Sequence, residues 1–293
     1  MAEQRQWLAP NCDAVKAPSF LQLWNDDFSQ VVRILGRDKY PQQSGFNVGR
    51  ISPNGRTLAA GSHVGSQVVL LNVKTDKVTA TAPDDREYLS DISFATDGQT
   101  LASSYVNGTV RCQRLHQAED EPISFAPHGQ LKSRHRLREA GKVLKFSHDG
   151  EWLAYGGNGN LLGLWNPTAT GQSLKLPHVS ATECLTFSPD DKLLATGHTD
   201  GIVRLWQLEG AKRLTEFVGH SKSMMRVYFS PNGRTLISTS FDGTSRVWSV
   251  DQQCCLGVLD QLILGISPSG RKMVTGYADE VAGLPTAFIQ SID

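Results

Sequence analysis

Six near-copies of one twelve-residue segment constrain this chain more than any other feature, because a repeat of that kind dictates a repeated structural unit. The copies read ISPNGRTLAAGS from Ile51, FATDGQTLASSY from Phe94, FSHDGEWLAYGG from Phe146, FSPDDKLLATGH from Phe187, FSPNGRTLISTS from Phe229 and ISPSGRKMVTGY from Ile266. Their turn positions, Gly55, Gly98, Gly150, Asp191, Gly233 and Gly270, lie 43, 52, 41, 42 and 37 residues apart. Each copy joins two alternating apolar segments through a turn such as Pro-Asn-Gly or Pro-Asp-Asp. Pro presets φ there, and Gly or Asn accepts positive φ. The pairs Asn107-Gly108, Asp200-Gly201 and Asp242-Gly243 then signal a hairpin into a third strand. That strand carries Trp in LQLWN, LGLWN, VRLWQ and SRVWS, and a weaker fourth strand follows, as in Leu256-Gly257-Val258-Leu259. The pattern predicts an all-β chain of four-stranded antiparallel blades, each of about 40 residues, in a β-propeller. No segment has convincing helical periodicity.

The repeat from Gly219 to Val258 carries the most specific signature. It starts with Gly219-His220, passes through FSPNG at Phe229 and ends with Ser240, Asp242 and Trp248. On these residues the chain resembles the WD-repeat family of β-propellers, and the resemblance covers nearly its whole length. The regular SPDG-like turns are also similar to the bacterial repeat arrays attached to signalling proteins. The resemblance implies a buried hydrogen-bonded tetrad of His220, Ser240, Asp242 and Trp248 that locks three strands together. It implies a partial tetrad of His178, Asp200 and Trp206 in the preceding repeat, with His198 at the serine position. Other repeats depart further: Gly65, Asn107 and Gly159 replace the aspartate, and Leu71 and Gln113 replace the tryptophan.

Blade counting gives repeats at approximately 1–40, 46–83, 88–127, 141–176, 178–217, 219–259 and 262–293. The first lacks a first strand and the last lacks a fourth. Seven blades are the favoured reading. Six, with Val31–Leu35 completing the last blade and residues 1–25 appended, remain open. Either way the expectation is one domain, 1–293, interrupted by a charged insertion at 116–141. The incomplete terminal blades leave edges that a homodimer would pair.

Lys plus Arg and Asp plus Glu are 29 each, so the formal net charge is zero. That counts against a nucleic-acid binder working through a global positive field. The insertion still holds Lys132, Arg134, Arg136 and Arg138, a candidate docking loop for an acidic peptide or a phosphate. Five cysteines without a CxxC pair, no leader-like apolar run and no run of about 18 apolar residues together point to a cytoplasmic chain with no membrane partner.

Catalytic motifs are missing: neither GxSxG nor HExxH occurs, and no cofactor or metal is expected. The functional expectation is a non-catalytic protein-interaction scaffold. By family resemblance it presents one propeller face to a protein or peptide. The residues beside the aspartate-type turns and first strands are Tyr88, Tyr105, Thr182, Glu183, Met224, Arg226, Phe241 and Tyr277. Phe241 stands out because Phe is not a turn residue by propensity. The alternatives are a ligand-sensing or hydrolytic propeller with a small-molecule or metal site at its central channel, and nucleic-acid contact through the basic insertion.

Overall fold

A computed structural model describes residues 7–10, 20–24, 31–36, 48–61, 68–75, 77–80, 89–105, 108–115, 123–125, 141–158, 162–167, 173–177, 180–266, 272–277 and 286–291. The chain divides into two compact units, Met1–Phe146 and Ser147–Asp293. In the first, β1 (Trp7–Pro10), β2 (Phe20–Trp24) and β3 (Val31–Gly36) form one antiparallel sheet in chain order. Next come β4 (Val48–Ile51), β5 (Thr57–Gly61), β6 (Val68–Asn72) and β7 (Val78–Ala80), also in chain order. A third sheet holds β8 (Leu89–Phe94), β9 (Thr100–Tyr105), β10 (Val110–Arg114) and β11 (Ile123–Phe125), and β12 (Gly141–Phe146) ends the unit.

The second unit begins with β13 (Leu153–Gly157), β14 (Leu162–Trp165) and β15 (Ser173–Lys175). The next sheet is β16 (Thr182–Phe187), β17 (Leu193–His198), β18 (Val203–Gln207) and β19 (Lys212–Phe217). It is followed by β20 (Met224–Phe229), β21 (Thr235–Ser240), β22 (Ser245–Ser249) and β23 (Cys254–Leu259), then by β24 (Leu262–Ile266), β25 (Lys272–Tyr277) and β26 (Thr286–Ser291). The fold class is therefore all-β, built from four-stranded antiparallel meanders of propeller-blade type. The only helical element among the described residues is a 3-10 turn at Glu209–Ala211.

The repeated turn owes its shape to more than Pro and Gly. Ser230 Oγ donates to Asn232 Oδ1 at 2.7 Å and accepts Thr235 N at 3.0 Å. Gly233 N closes the turn on Ser230 O at 2.9 Å with φ of 72°. Ser52, Ser147 and Ser188 repeat this clasp with Asn54, Asp149 and Asp190. Where FATDG lacks the serine, Asp97 accepts the Thr100 hydroxyl and the amides of Gln99 and Thr100 instead. Asp191 occupies the glycine position at φ 52°, a conformation that disfavours side chains. Its carboxylate offsets that cost by accepting His148 N, Asp149 N and a His148 Nδ1 contact at 2.8 Å.

Second strands such as β9, β13 and β17 are buried along nearly their full length. That is why they read LASSY, LAYGG and LATGH, with small residues between large ones. In the first unit Val48, Ala59 and Val68 of one sheet pack on Leu89, Ile92, Leu101 and Tyr105 of the next. In the second unit Ala195, Val203, Leu205 and Phe217 pack on Met224, Val227, Leu236 and Trp248.

Candidate functional site

Chemistry concentrates at the end of the second unit where β17 and β21 run into their Asp-Gly turns. Trp248 pairs with Leu236 across β21 and β22, and Ser238 lies one diagonal step away on the same face. Trp248 Nε1 donates to Ser238 Oγ at 2.7 Å. Ser238 Oγ lies 2.9 Å from His220 Nε2, and His220 Nδ1 lies 2.8 Å from Asp242 Oδ2. One proton arrangement satisfies every contact: indole to hydroxyl, hydroxyl to Nε2, and Nδ1–H to carboxylate. The hydroxyl of the relay is thus Ser238, not Ser240. Ser240 sits two residues further, where its hydroxyl meets the carbonyls of Lys222 and Ser223 at 2.9 Å and accepts Asp242 N.

Burial drives the Asp242 carboxyl up, but the Thr244 hydroxyl and amide, Ser221 N and His220 outweigh it and hold it at about 2. Burial also pushes His220 below its ordinary 6.5, against the pull of Asp242. Both folded values lie below their unfolded ones, so both groups stabilise the fold above the unfolded values and lose that contribution as pH falls. The His220 loss begins near its unfolded 6.5, and the Asp242 loss, about 2 kcal/mol, runs from 3.8 towards about 2. We expect the urea midpoint to decline in two stages on acidification. His220→Gln should remove the first stage, and a wild-type midpoint that stays flat from pH 7 to pH 3 would refute the assignment.

The preceding repeat uses the same geometry with different partners. Trp206 Nε1 donates to Thr196 Oγ1 at 2.8 Å, and that hydroxyl meets His198 Nε2 at 2.8 Å. His198 therefore supplies the imidazole rather than replacing the hydroxyl, and His178 lies outside the described residues. Asp200 turns to Arg204, at 2.8 Å, and to Ser180 Oγ, at 2.8 Å. Arg204, only 3% exposed, also holds Glu216 at 2.9 Å. In both repeats the hydroxyl stands four residues before the aspartate, a spacing visible in the sequence. Ser103, four before Asn107, keeps the place and donates to Tyr105 Oη at 3.2 Å.

The expected face divides sharply by burial. Tyr105, Thr182 and Met224 are core residues at 3%, 0% and 0% exposure, so they cannot line an open surface. Tyr105 ends β9, and Thr182 and Met224 open β16 and β20. Arg226 is exposed, Glu183 is half-buried, and Phe241 is 60% exposed. Phe241 N is anchored to Ser223 O at 3.0 Å, which fixes the ring's backbone beside the exposed Lys222. Tyr88, the side chain of Tyr277, and Lys132, Arg134, Arg136 and Arg138 lie outside the described residues.

Two features were not legible beforehand. In the first unit the buried Asp91 accepts Arg50 Nη2 at 2.9 Å and Leu144 N at 3.0 Å, joining first strands of successive sheets. Burial and then Arg50 push the Lys145 ammonium beside it down to about 8, against Asp91. Second, burial pushes the Cys112 and Cys184 thiols up to about 12, which removes them as nucleophiles near neutral pH. Among the described residues no cluster of His, Cys, Asp or Glu is arranged to hold a metal ion. No helix among them is long and apolar enough to cross a membrane.

The family model described as WD domain, G-beta repeat matches residues 172–207 and 211–249. Over 94% of its length the chain is 27% identical to Protein FIZZY-RELATED 2 of Arabidopsis thaliana, covering 56% of that protein. It is 26% identical over 94% of its length to the B-type cell cycle switch protein ccs52A of Medicago truncatula, covering 57%. It is 26% identical over 81% of its length to Telomerase protein component 1 of Rattus norvegicus, covering 9%. The chain thus spans little more than half of the two plant relatives and a small part of the third. These relatives lend no support to the likeness with bacterial signalling arrays.

Proposed function

We propose that this chain, which carries WD40 repeats at 172–207 and 211–249, is a non-catalytic scaffold whose second unit offers a rim around Phe241 to a protein or peptide partner. The observation that carries the reading is Phe241 itself. A large aromatic ring at 60% exposure, on a turn whose backbone is pinned, gains nothing from the core and suits an interface anchor. Lys222, next to the Ser223 carbonyl that anchors Phe241, and Arg226 on β20 are exposed cations of the same repeat. The hydroxyl–imidazole relays support a structural rather than catalytic role, since Ser238 is fully buried and its bonds are all used within the sheet. One relative is named as a cell cycle switch protein, so a regulatory setting is the first to examine. The described cysteines are free, and a reducing compartment such as the cytosol belongs to the proposal.

The test is affinity capture from native lysate with the wild-type chain and with an Arg226→Glu, Phe241→Glu double variant, both checked for equal thermal midpoints. The expected outcome is a partner whose affinity falls by about thirtyfold or more in the variant, the loss typical of an interface anchor. Equal retention by both proteins would place the binding surface elsewhere.

A further inference from the structure

The outer edge of the sheet β20–β23 is unlike the edge before it. Among the described strands β23 pairs only with β22, which leaves its other edge unpaired by any of them. Its six residues, Cys254 to Leu259, include no charge, and all but Gly257 are exposed. Leu256, Val258 and Leu259 are 54%, 48% and 41% exposed. The corresponding edge of the preceding sheet, β19, carries Lys212, Arg213 and Glu216 in six residues, the usual protection against strand addition. Both edges have the same bulge, where Leu256 or Leu214 falls between paired neighbours, so charge is what distinguishes them. At the centre of β23 the Cys255 thiol lies 3.5 Å from the Gly257 carbonyl, and a Cβ at Gly257 would meet open space. Backbone groups and apolar side chains are therefore presented together along about 20 Å of strand.

The charges lie just outside this strand. Asp251 and Asp260 flank it at either end, both exposed, and neither has an ion-pair partner among the described residues. We propose that β23 is a strand-addition site for an extended apolar segment of another protein that carries a basic residue at each end, with about six residues between them. The flanks argue against a second copy of this chain in that place. Antiparallel self-pairing about Leu256 and Gly257 would set Asp260 of one copy opposite Gln253 of the other, two residues from its Asp251. Like charges would then gather at both ends of the shared ribbon. A basic-flanked strand meets a carboxylate at each end, gains main-chain hydrogen bonds along β23, and covers Leu256, Val258 and Leu259. This surface is separate from the Phe241 rim, so it stands or falls independently of the function proposed above.

The experiment uses the full chain and two synthetic probes, Lys-Val-Thr-Val-Thr-Val-Thr-Lys and its counterpart with Glu at both ends. Fluorescence anisotropy reads affinity, and hydrogen exchange reads the amides of residues 254–259. The Lys-flanked peptide should bind and slow exchange in that segment, while the Glu-flanked peptide should bind about tenfold more weakly or not at all. An Asp251→Lys, Asp260→Lys variant should reverse the preference. Val258→Lys, an exposed substitution that leaves the core intact, should abolish binding of both. Equal affinity for the two peptides, or protection elsewhere in the chain, would overturn the proposal. Protection of 254–259 that grows with protein concentration in the absence of peptide would also overturn it, and would make a second copy the occupant.

Discussion

Replacing Trp248 by alanine should lower the unfolding free energy by about 3–5 kcal/mol, as removal of a buried Trp usually does. The indole is 2% exposed and packs at 5.3 Å from the Phe217 ring and 6.4 Å from His220. Its loss opens a cavity between two sheets that share one apolar cluster. It also leaves Ser238 Oγ without its donor. Trp248→Phe separates these effects, because a phenyl ring keeps most of the packing and loses the N–H. Its cost should be about 1–3 kcal/mol. Urea unfolding of both variants beside the wild type is the measurement. A Trp248→Phe cost as large as that of Trp248→Ala would show that the relay, and not packing, dominates.

Arg204→Ala should cost about 3 kcal/mol, near the lower end of what breaking a buried ion pair costs. The guanidinium is 3% exposed and is held by Asp200 at 2.8 Å and Glu216 at 2.9 Å. Without it, Asp200 loses its only cation among the described residues, while Glu216 keeps Arg213 at 2.8 Å. Their own exposure, 28% and 33%, lets water relieve part of the penalty, which sets the lower end. Glu216→Gln should cost clearly less, since Asp200 still neutralises Arg204. The same unfolding measurement checks both. A larger loss for Glu216→Gln than for Arg204→Ala would contradict the assignment of Arg204 as the hub.

The contrast between these two sites shows why the candidate site was only partly readable in advance. Both repeats present the same spacing of aspartate and tryptophan, and both place a hydroxyl four residues before the aspartate. One relay takes its imidazole from His220, in the segment leading into β20, and the other from His198 on β17 itself. Ser238 and Ser240 share one face of β21, and alternation alone does not separate them. Only the diagonal approach of Trp248 selects Ser238. The same limit applies to the proposed rim. Met224 and Arg226 are two apart on a strand that bulges at Met225, yet one is fully buried and the other is exposed.

What the sequence determined by itself was local: the repeat, the Ser-Pro-Asn-Gly turns, the strand order within each meander and the apolar alternation. These follow from short-range backbone preferences and from hydrogen bonds spanning no more than about five residues. Tertiary structure decided which hydroxyl meets which imidazole, which aspartate serves an arginine, and which of the candidate face residues see solvent. It also left β23 uncovered. Those outcomes depend on how one sheet lies against the next and on where bulges shift the register, and a one- or two-residue difference there leaves the local pattern unchanged while moving a side chain from core to surface.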